Sequence, residues 1–418
     1  MPAGASARGA RRTGQGQPAT ATIRDVRNDW DAIVVGLGAI GSGAAYWLSR
    51  RLGDRVLGLE QFDLGHGNGA GQDHSRIIRL SYHRPDYVRL ARRAYASWAE
   101  VEAESGTTIV TRTGGLDVAP RGAAIPLEDY TTSMTAEGVA FEHLDGPEIV
   151  RRWPQWRLGD EHHGLYQAAS GIADPNRGNA AHQRLARAHG ATLLERAPVA
   201  RLRELGGGGI EVELADGSLH RAPQVVLAAD AWTNDLLASF DRRLPLTIIQ
   251  AQVTYFAPPD PARFAPDRFP IWIWMDDPSF YGFPTYAEGG NGALVKAAQD
   301  CGGAVTTADG RSFETDAEAL QRLAGFVSGL LPGVGAPRRT VTCLYTLTPD
   351  RDFVVGPVPG HEAVLVGLGA GHGFKFAPTF GRMLADLVTQ GSTGSDISGF
   401  ATDRPALVDA DFPLSWLV

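Results

Sequence analysis

Cysteine is scarce in this chain. Only Cys301 and Cys343 occur among 418 residues, too few for the disulfide frameworks that staple small secreted folds, so a reducing, cytoplasmic home is expected. Long hydrophobic runs are missing as well. The longest, such as AVLVGLGAG, have the length of buried strands and fall well short of the roughly 18 residues that cross a bilayer, so no membrane partner is expected. An excess of positive charge is also lacking. A formal net charge of -8 leaves no broad basic face for nucleic acid. The opening MPAGASARGARRTGQGQPAT has no apolar segment of the kind a secretory signal needs, and residues 1–28 read as a disordered arm. No fixed-period repeat occurs and no metal is called for.

With 43% hydrophobic residues, the chain can bury a large core, and its length favours two lobes. From Trp30 the pattern runs strand, glycine turn, helix, strand: DAIVVG, LGAIGSG, AAYWLSRRLG, RVLGLEQ. This is a βαβ unit of a parallel sheet. Gly36, Gly38 and Gly41 satisfy G-x-G-x-x-G directly after the strand. The first makes the tight turn, the second lets backbone approach a pyrophosphate, and the third lets helix and strand pack closely. The helix N-terminus then faces the phosphates. Glu60 closes the next strand, where an acid accepts ribose hydroxyls. NAD and FAD both fit this fingerprint.

Further on, PDYVRLARRAYASWAEVEAES repeats apolar residues at helical spacing and stops at Gly106. From Leu244 the texture becomes aromatic and alternating, in TIIQAQVTYFAP, PIWIWMDD, SFYGFPTY and GALVKAAQ. That predicts an antiparallel sheet with one wet face. DAEALQRLAGFVSGL is a further amphipathic helix, and EAVLVGLGAGHGFKFAPTFGRMLADLVTQG returns to strand, glycine turn and helix. One domain interrupted by another explains this order. The fold class is α/β, with a Rossmann-like dinucleotide-binding domain from residues 29–110, 169–240 and 335–418. An antiparallel-sheet α+β substrate domain is expected from 111–168 and 241–334.

Several spaced motifs carry a resemblance. GLGAIGSG, GHGNGAGQDHSRIIRLSY, SGIADPNRGN, YGFP, CLYTLTPD, GAGHGFKF and ISGFATDRPAL follow one another, from about residue 30 to residue 408, as in the flavin amine oxidases typified by monomeric sarcosine oxidase and N-methyltryptophan oxidase. These form part of the D-amino acid oxidase superfamily. The resemblance implies FAD in the Rossmann-like domain and oxidation of a secondary amino acid, N-methylated or cyclic. A hydride equivalent would pass to flavin N5, with O2 as electron acceptor and peroxide and an imine as products. A flavin dehydrogenase or a tailoring enzyme that desaturates a cyclic imino acid is the alternative. A monomer or small homo-oligomer is expected.

The resemblance also implies roles for single residues. Cys343 matches the thioether link to the flavin 8α carbon, with Arg338 and Arg339 just upstream to favour a thiolate; a plain buried thiol is the other reading. Arg79 and Lys375 match the two cations that hold the substrate carboxylate. Arg76 matches the guanidinium over the flavin, next to Ser75, and Lys296 matches the lysine that assists oxygen. Gly371, His372 and Gly373 match a turn beside the flavin's pyrimidine end, and Tyr281 lines the substrate cavity. Two positions depart from sarcosine oxidases. Gln72 and Asp300 stand where those enzymes carry histidines, so the substrate side has changed. The Asp300 carboxylate is expected to pair with a cation on the substrate or with Lys296. Trp272, Trp274 and Met275 would suit a bulky substrate, or a core.

Overall fold

The computed structural model describes residues 28–286 and 293–415; the expected arm lies outside them except for Asn28. The first apolar run forms a fully buried strand, Ala32–Val35. It pairs in parallel with Val56–Leu59 and with Gln224–Leu227, at the centre of a six-stranded sheet. The strand order is Val354–Val358, His361–Leu368, Gln224–Leu227, Ala32–Val35, Val56–Leu59, Thr192–Leu194. Only the first pair is antiparallel. The α/β fold class read from the sequence is the one observed.

The glycine loop sets the sheet's relation to its first helix. Gly36 has φ +87°, and a Cβ on Gly41 would lie 1.8 Å from the Gly36 carbonyl oxygen. No side chain fits between strand and helix there. Helix Ala39–Leu52 ends with Arg50 and Arg51 in its last turn, where cations suit the dipole. It packs between helices Pro175–Ala188 and Ala377–Gln390. A Cβ on Gly381 would come within 2.3 Å of the Gly43 carbonyl carbon, so small residues on both helices permit the approach. Helix Pro85–Ser105 begins with proline in its first turn and ends at Gly106 in the left-handed conformation, as its sequence predicts.

The second large sheet runs Ala304–Val305, Thr247–Ala257, Val295–Gln299, Phe280–Phe283, Ile271–Trp274, Gly115–Pro120, His162–Gln167, Glu142–Asp145, with Ala336–Leu347 paired to Thr247–Ala257. One pair, Ile271–Trp274 with Gly115–Pro120, is parallel, which the alternating pattern alone does not disclose. The expected boundary at residue 335 is also displaced. Strand Ala336–Leu347 pairs along its length with Thr247–Ala257, so the substrate-side sheet continues through Leu347. That strand carries Cys343 and Tyr345 from the second sheet toward the first. Arg76–Ile78, Gly171–Ala173 and Val110–Arg112 form a small antiparallel sheet.

Gly41→Ala is expected to cost about 3 kcal/mol or more, because the added methyl meets backbone that cannot yield. A lower thermal midpoint, or loss of soluble protein, checks it. Gly206→Ala, where a Cβ meets nothing within 4 Å, serves as the neutral control.

Candidate active site

Between the two large sheets lies a cavity of about 600 Å³. Its walls come from the glycine loop, the stretch around Arg76 and Arg79, the end of strand Gln224–Leu227, the substrate-side strands at Tyr281 and Tyr345, and the second glycine turn. Gly36, Gly38, Glu60, Arg76, Arg79, Tyr281, Asp300, Gly371, His372, Gly373 and Lys375 all line it. The sequence expectation thus brings residues from across the chain to one place.

One end of the cavity has features that would suit the dinucleotide expected from the sequence. A Cβ on Gly38 would meet nothing within 4 Å, so bare backbone faces the cavity at the start of a helix. Glu60 accepts hydrogen bonds from the Leu37 N–H at 2.9 Å and the Phe62 N–H at 3.1 Å, and it lies 3.4 Å from His66. Burial alone would raise the Glu60 carboxyl, but His66 and these N–H groups hold it below the usual range. It therefore presents a carboxylate to a ligand's hydroxyls. A further acceptor on the wall, Asn179 Oδ1, has no hydrogen-bond partner among the described residues, whereas the Thr346 hydroxyl and the Ala231 N–H act on the Asp230 carboxylate. Burial pushes the Asp230 carboxyl up to about 6. Buried orphan acceptors are costly unless a ligand supplies donors, and a hydroxyl-bearing cofactor does.

At the other end the wall is cationic. Arg79 is buried and its Nη1 donates to Asp117 at 3.1 Å, while Ser81 donates to the other Asp117 oxygen. Its guanidinium lies 4.9 Å from the centre of the Tyr82 ring. Arg351 is 2% exposed and donates to Asp300 at 3.2 Å. Lys375 is buried too, with its ammonium 5.7 Å from the Tyr82 ring centre and 5.4 Å from that of Phe376. Among the described residues the ammonium makes no hydrogen bond and no direct ion pair, and Asp300 is the acid that acts on it from a distance. Burial, and then Arg79, push Lys375 well below the ordinary lysine value. His372 is likewise pushed down by burial. As a neutral ring it donates from Nε2 to the Arg351 carbonyl at 2.9 Å, which leaves Nδ1 bare.

Other expected residues sit behind the wall. Gly41 packs on Gly36 as its spacing predicts. Lys296, Ser75, Gln72 and Cys343 are not among the lining residues. Gln72, expected on the substrate side, instead donates its amide to the Thr342 carbonyl at 3.1 Å. Ser75, expected at the cofactor, uses its carbonyl and hydroxyl to accept from Lys296. Asp300 pairs with Arg351 rather than Lys296, whose carboxylate partner is Asp73 at 2.7 Å. Arg76 lines the cavity with its guanidinium tied to the carbonyls of Ser75, Ala70 and Gln72. Cys343 is buried, which raises its thiol; Arg76, Lys296 and Arg311 oppose the rise. Those three are the cations around it, whereas Arg338 and Arg339 are exposed. Trp272, Trp274 and Met275 lie in packed cores. Strand alternation turns Ile273 to the cavity instead, so the two tryptophans give no sign of a bulky substrate.

Asp73, Asp117, Arg311, Tyr345 and Arg351 were not singled out from the sequence. Asp117 had a usable signal, an acid between Leu116 and Val118 in a strand whose neighbours are buried. Tyr345 is fixed by a 3.0 Å contact between its hydroxyl and that of Tyr281.

A profile of the family described as DAO, FAD dependent oxidoreductase, matches residues 31–387. The chain is 36% identical to the monomeric sarcosine oxidase of Streptomyces avermitilis over 389 residues, covering 91% of this chain and 99% of that protein. It is 30% identical to the N-methyl-L-tryptophan oxidase of Salmonella arizonae over 380 residues, 90% of this chain and 99% of that one. Among solved structures it is similar to NikD, an unusual amino acid oxidase essential for nikkomycin biosynthesis. The TM-score is 0.80 at 29% identity, covering 90% of this chain and 97% of NikD.

Lys375 gives a signed pH dependence. Its folded value lies below the ordinary lysine value of about 10.4, so between the two the unfolded chain binds the extra proton and stability rises with pH. Ligand-free protein should gain thermal stability with pH across that window. Lys375→Met should flatten the gain and leave the apoprotein at least as stable, as thermal scans at several pH values would reveal.

Proposed function

Because the chain belongs to the DAO family of FAD-dependent oxidoreductases, we propose that it is an oxidase of a secondary amino acid, N-methylated or cyclic, that yields an imine and hydrogen peroxide. The observation that supports this most directly is Lys375, buried on the cavity wall with no hydrogen bond or direct ion pair for its amino group among the described residues and only Asp300 acting on it from a distance. A substrate carboxylate completes it.

When bound, FAD would supply the acceptor for a hydride equivalent from the substrate and the route for its electrons to dioxygen. The chain's own residues hold, orient and charge the site. The glycine loop and the N-terminus of helix Ala39–Leu52 would take the pyrophosphate, and Glu60 the ribose hydroxyls. Cys343 is assigned as the covalent anchor, with Arg76, Lys296 and Arg311 as the cations that lessen the rise burial imposes on its thiol. Lys375 and Arg79 seat the carboxylate. The positive wall also disfavours a protonated amine, so it selects the neutral amine whose lone pair can form the imine. No side chain then has to act as a strong base. Lys296 supplies fixed positive charge near the oxygen-reducing step. The Arg351–Asp300 pair borders the substrate without changing its net charge.

Mixing the yellow protein without air with N-methyl and cyclic amino acids should bleach the flavin, and admitting air should release peroxide. The corresponding carboxamides should react about 30-fold more weakly or worse, for want of the carboxylate's charge-assisted bonds. kcat/KM should rise with pH as the amine loses its proton and fall again as Lys375 does. If no such amine bleaches the flavin, the reading is wrong; bleaching without peroxide in air would make the protein a dehydrogenase.

Acid precipitation should carry the yellow colour into the pellet. In Cys343→Ser the colour should stay in the supernatant, with the far-UV spectrum unchanged.

A further inference from the structure

Lys296 is held by more than its place on strand Val295–Gln299. Its ammonium lies 2.7 Å from Asp73 Oδ2 and donates to the Ser75 carbonyl at 2.8 Å and the Ser75 hydroxyl at 3.1 Å. It also sits 4.8 Å from the centre of the Phe283 ring, and Phe283 lines the cavity. The other Asp73 oxygen accepts from the Tyr255 hydroxyl and, at 2.9 Å, from the His74 N–H. Arg76 Nη1 stands 3.8 Å from the same carboxylate. Asp73 takes up this position at φ +88°, a conformation that L side chains avoid and that Asp and Asn tolerate better than most. The two cations nearest this part of the wall thus share one buried acid.

We propose that Asp73 is a positioning residue for Lys296. It pins the ammonium against Ser75 just behind the cavity wall, and it reduces the charge that Lys296 and Arg76 together present to the cofactor from two to one. This rests on the role assigned to Lys296 under the proposed function. The groups that set the ammonium's charge are Asp73, Arg76 and Cys343, with Tyr255 behind Asp73 and Arg339 stacked 4.6 Å over the Tyr255 ring. Burial lowers Lys296 to about 8 while Asp73 works against the fall. Without Asp73, burial and Arg76 are opposed only weakly, through Cys343, and the lysine loses its proton at lower pH. While still protonated, it would give the site one more positive charge than before, which favours an electron-rich reduced ring.

The test is the flavin midpoint potential of the holoenzyme, measured from neutral to alkaline pH. In Asp73→Asn the lysine's inflection should move to lower pH by about one unit or more, and below that inflection the potential should be more positive than in the parent. Asp73→Gly keeps the backbone unstrained at this φ and should behave alike, which covers the case where the Asn variant folds poorly. Lys296→Met should remove the inflection altogether. A parent-like potential and inflection in both folded, flavin-loaded Asp73 variants overturns the proposal. Unchanged oxygen reactivity in Lys296→Met would instead overturn the role given to Lys296.

Discussion

The structure depends on one electrostatic constraint, the burial of several cations around a single cavity. A lone charge in a low-dielectric interior is prohibitive, and a buried ion pair is tolerable only when its geometry and hydrogen bonds are good. Three of the cations meet this demand internally, through Arg79–Asp117, Arg351–Asp300 and Lys296–Asp73. Two of the pairs join the second large sheet to the small sheet and its surroundings. Arg79 follows the small sheet while Asp117 lies in the second large sheet, and Lys296 on a second-sheet strand reaches back to Asp73 beside the small sheet. The pairs therefore hold the halves of the cavity together as well as neutralising them. Lys375 stands apart from this pattern.

The fold was legible where its causes are local. The glycine loop predicts its own strand, turn and helix because a Cβ at Gly41 has no room, and no distant residue is needed to know that. Proline at the start and glycine at the end likewise bound Pro85–Ser105. The strand Ala336–Leu347 was misassigned to the cofactor side because alternation identifies a strand but not the neighbour that hydrogen-bonds to it.

The site was legible as a set of positions and not as a set of partners. Lys375 and Arg79 stand where the motifs put them, yet the acid that neutralises Arg79 lies 38 residues away. The serine that holds Lys296 lies 221 residues away. The resemblance marks Gln72 and Asp300 as departures, but a change of residue type does not disclose which way the new side chain turns. Gln72 turned to a backbone carbonyl. Positive φ at Asp73 and Arg351 leaves no pattern in the sequence, because only glycine signals such a conformation in advance.

The distribution of charge also bears on what the cavity admits. Arg79 and Arg351 arrive already neutralised, so they contribute directed N–H groups and shape more than net attraction. Lys375 alone at this end lacks a direct ion pair among the described residues, and on the proposed reading one carboxylate would complete it. A second carboxylate on the ligand would meet the Asp300 oxygens on the wall without a further cation to offset them, and like charges at that range are costly. A cationic amine would fare no better beside a Lys375 ammonium. Both biases favour a neutral amine bearing a single acid group. The ring of Tyr281, held by Tyr345, and the side chain of Ile273 on the paired strand form the apolar surface left for the rest of the substrate. Selectivity on this account follows from the arrangement that keeps the cavity's cations buried.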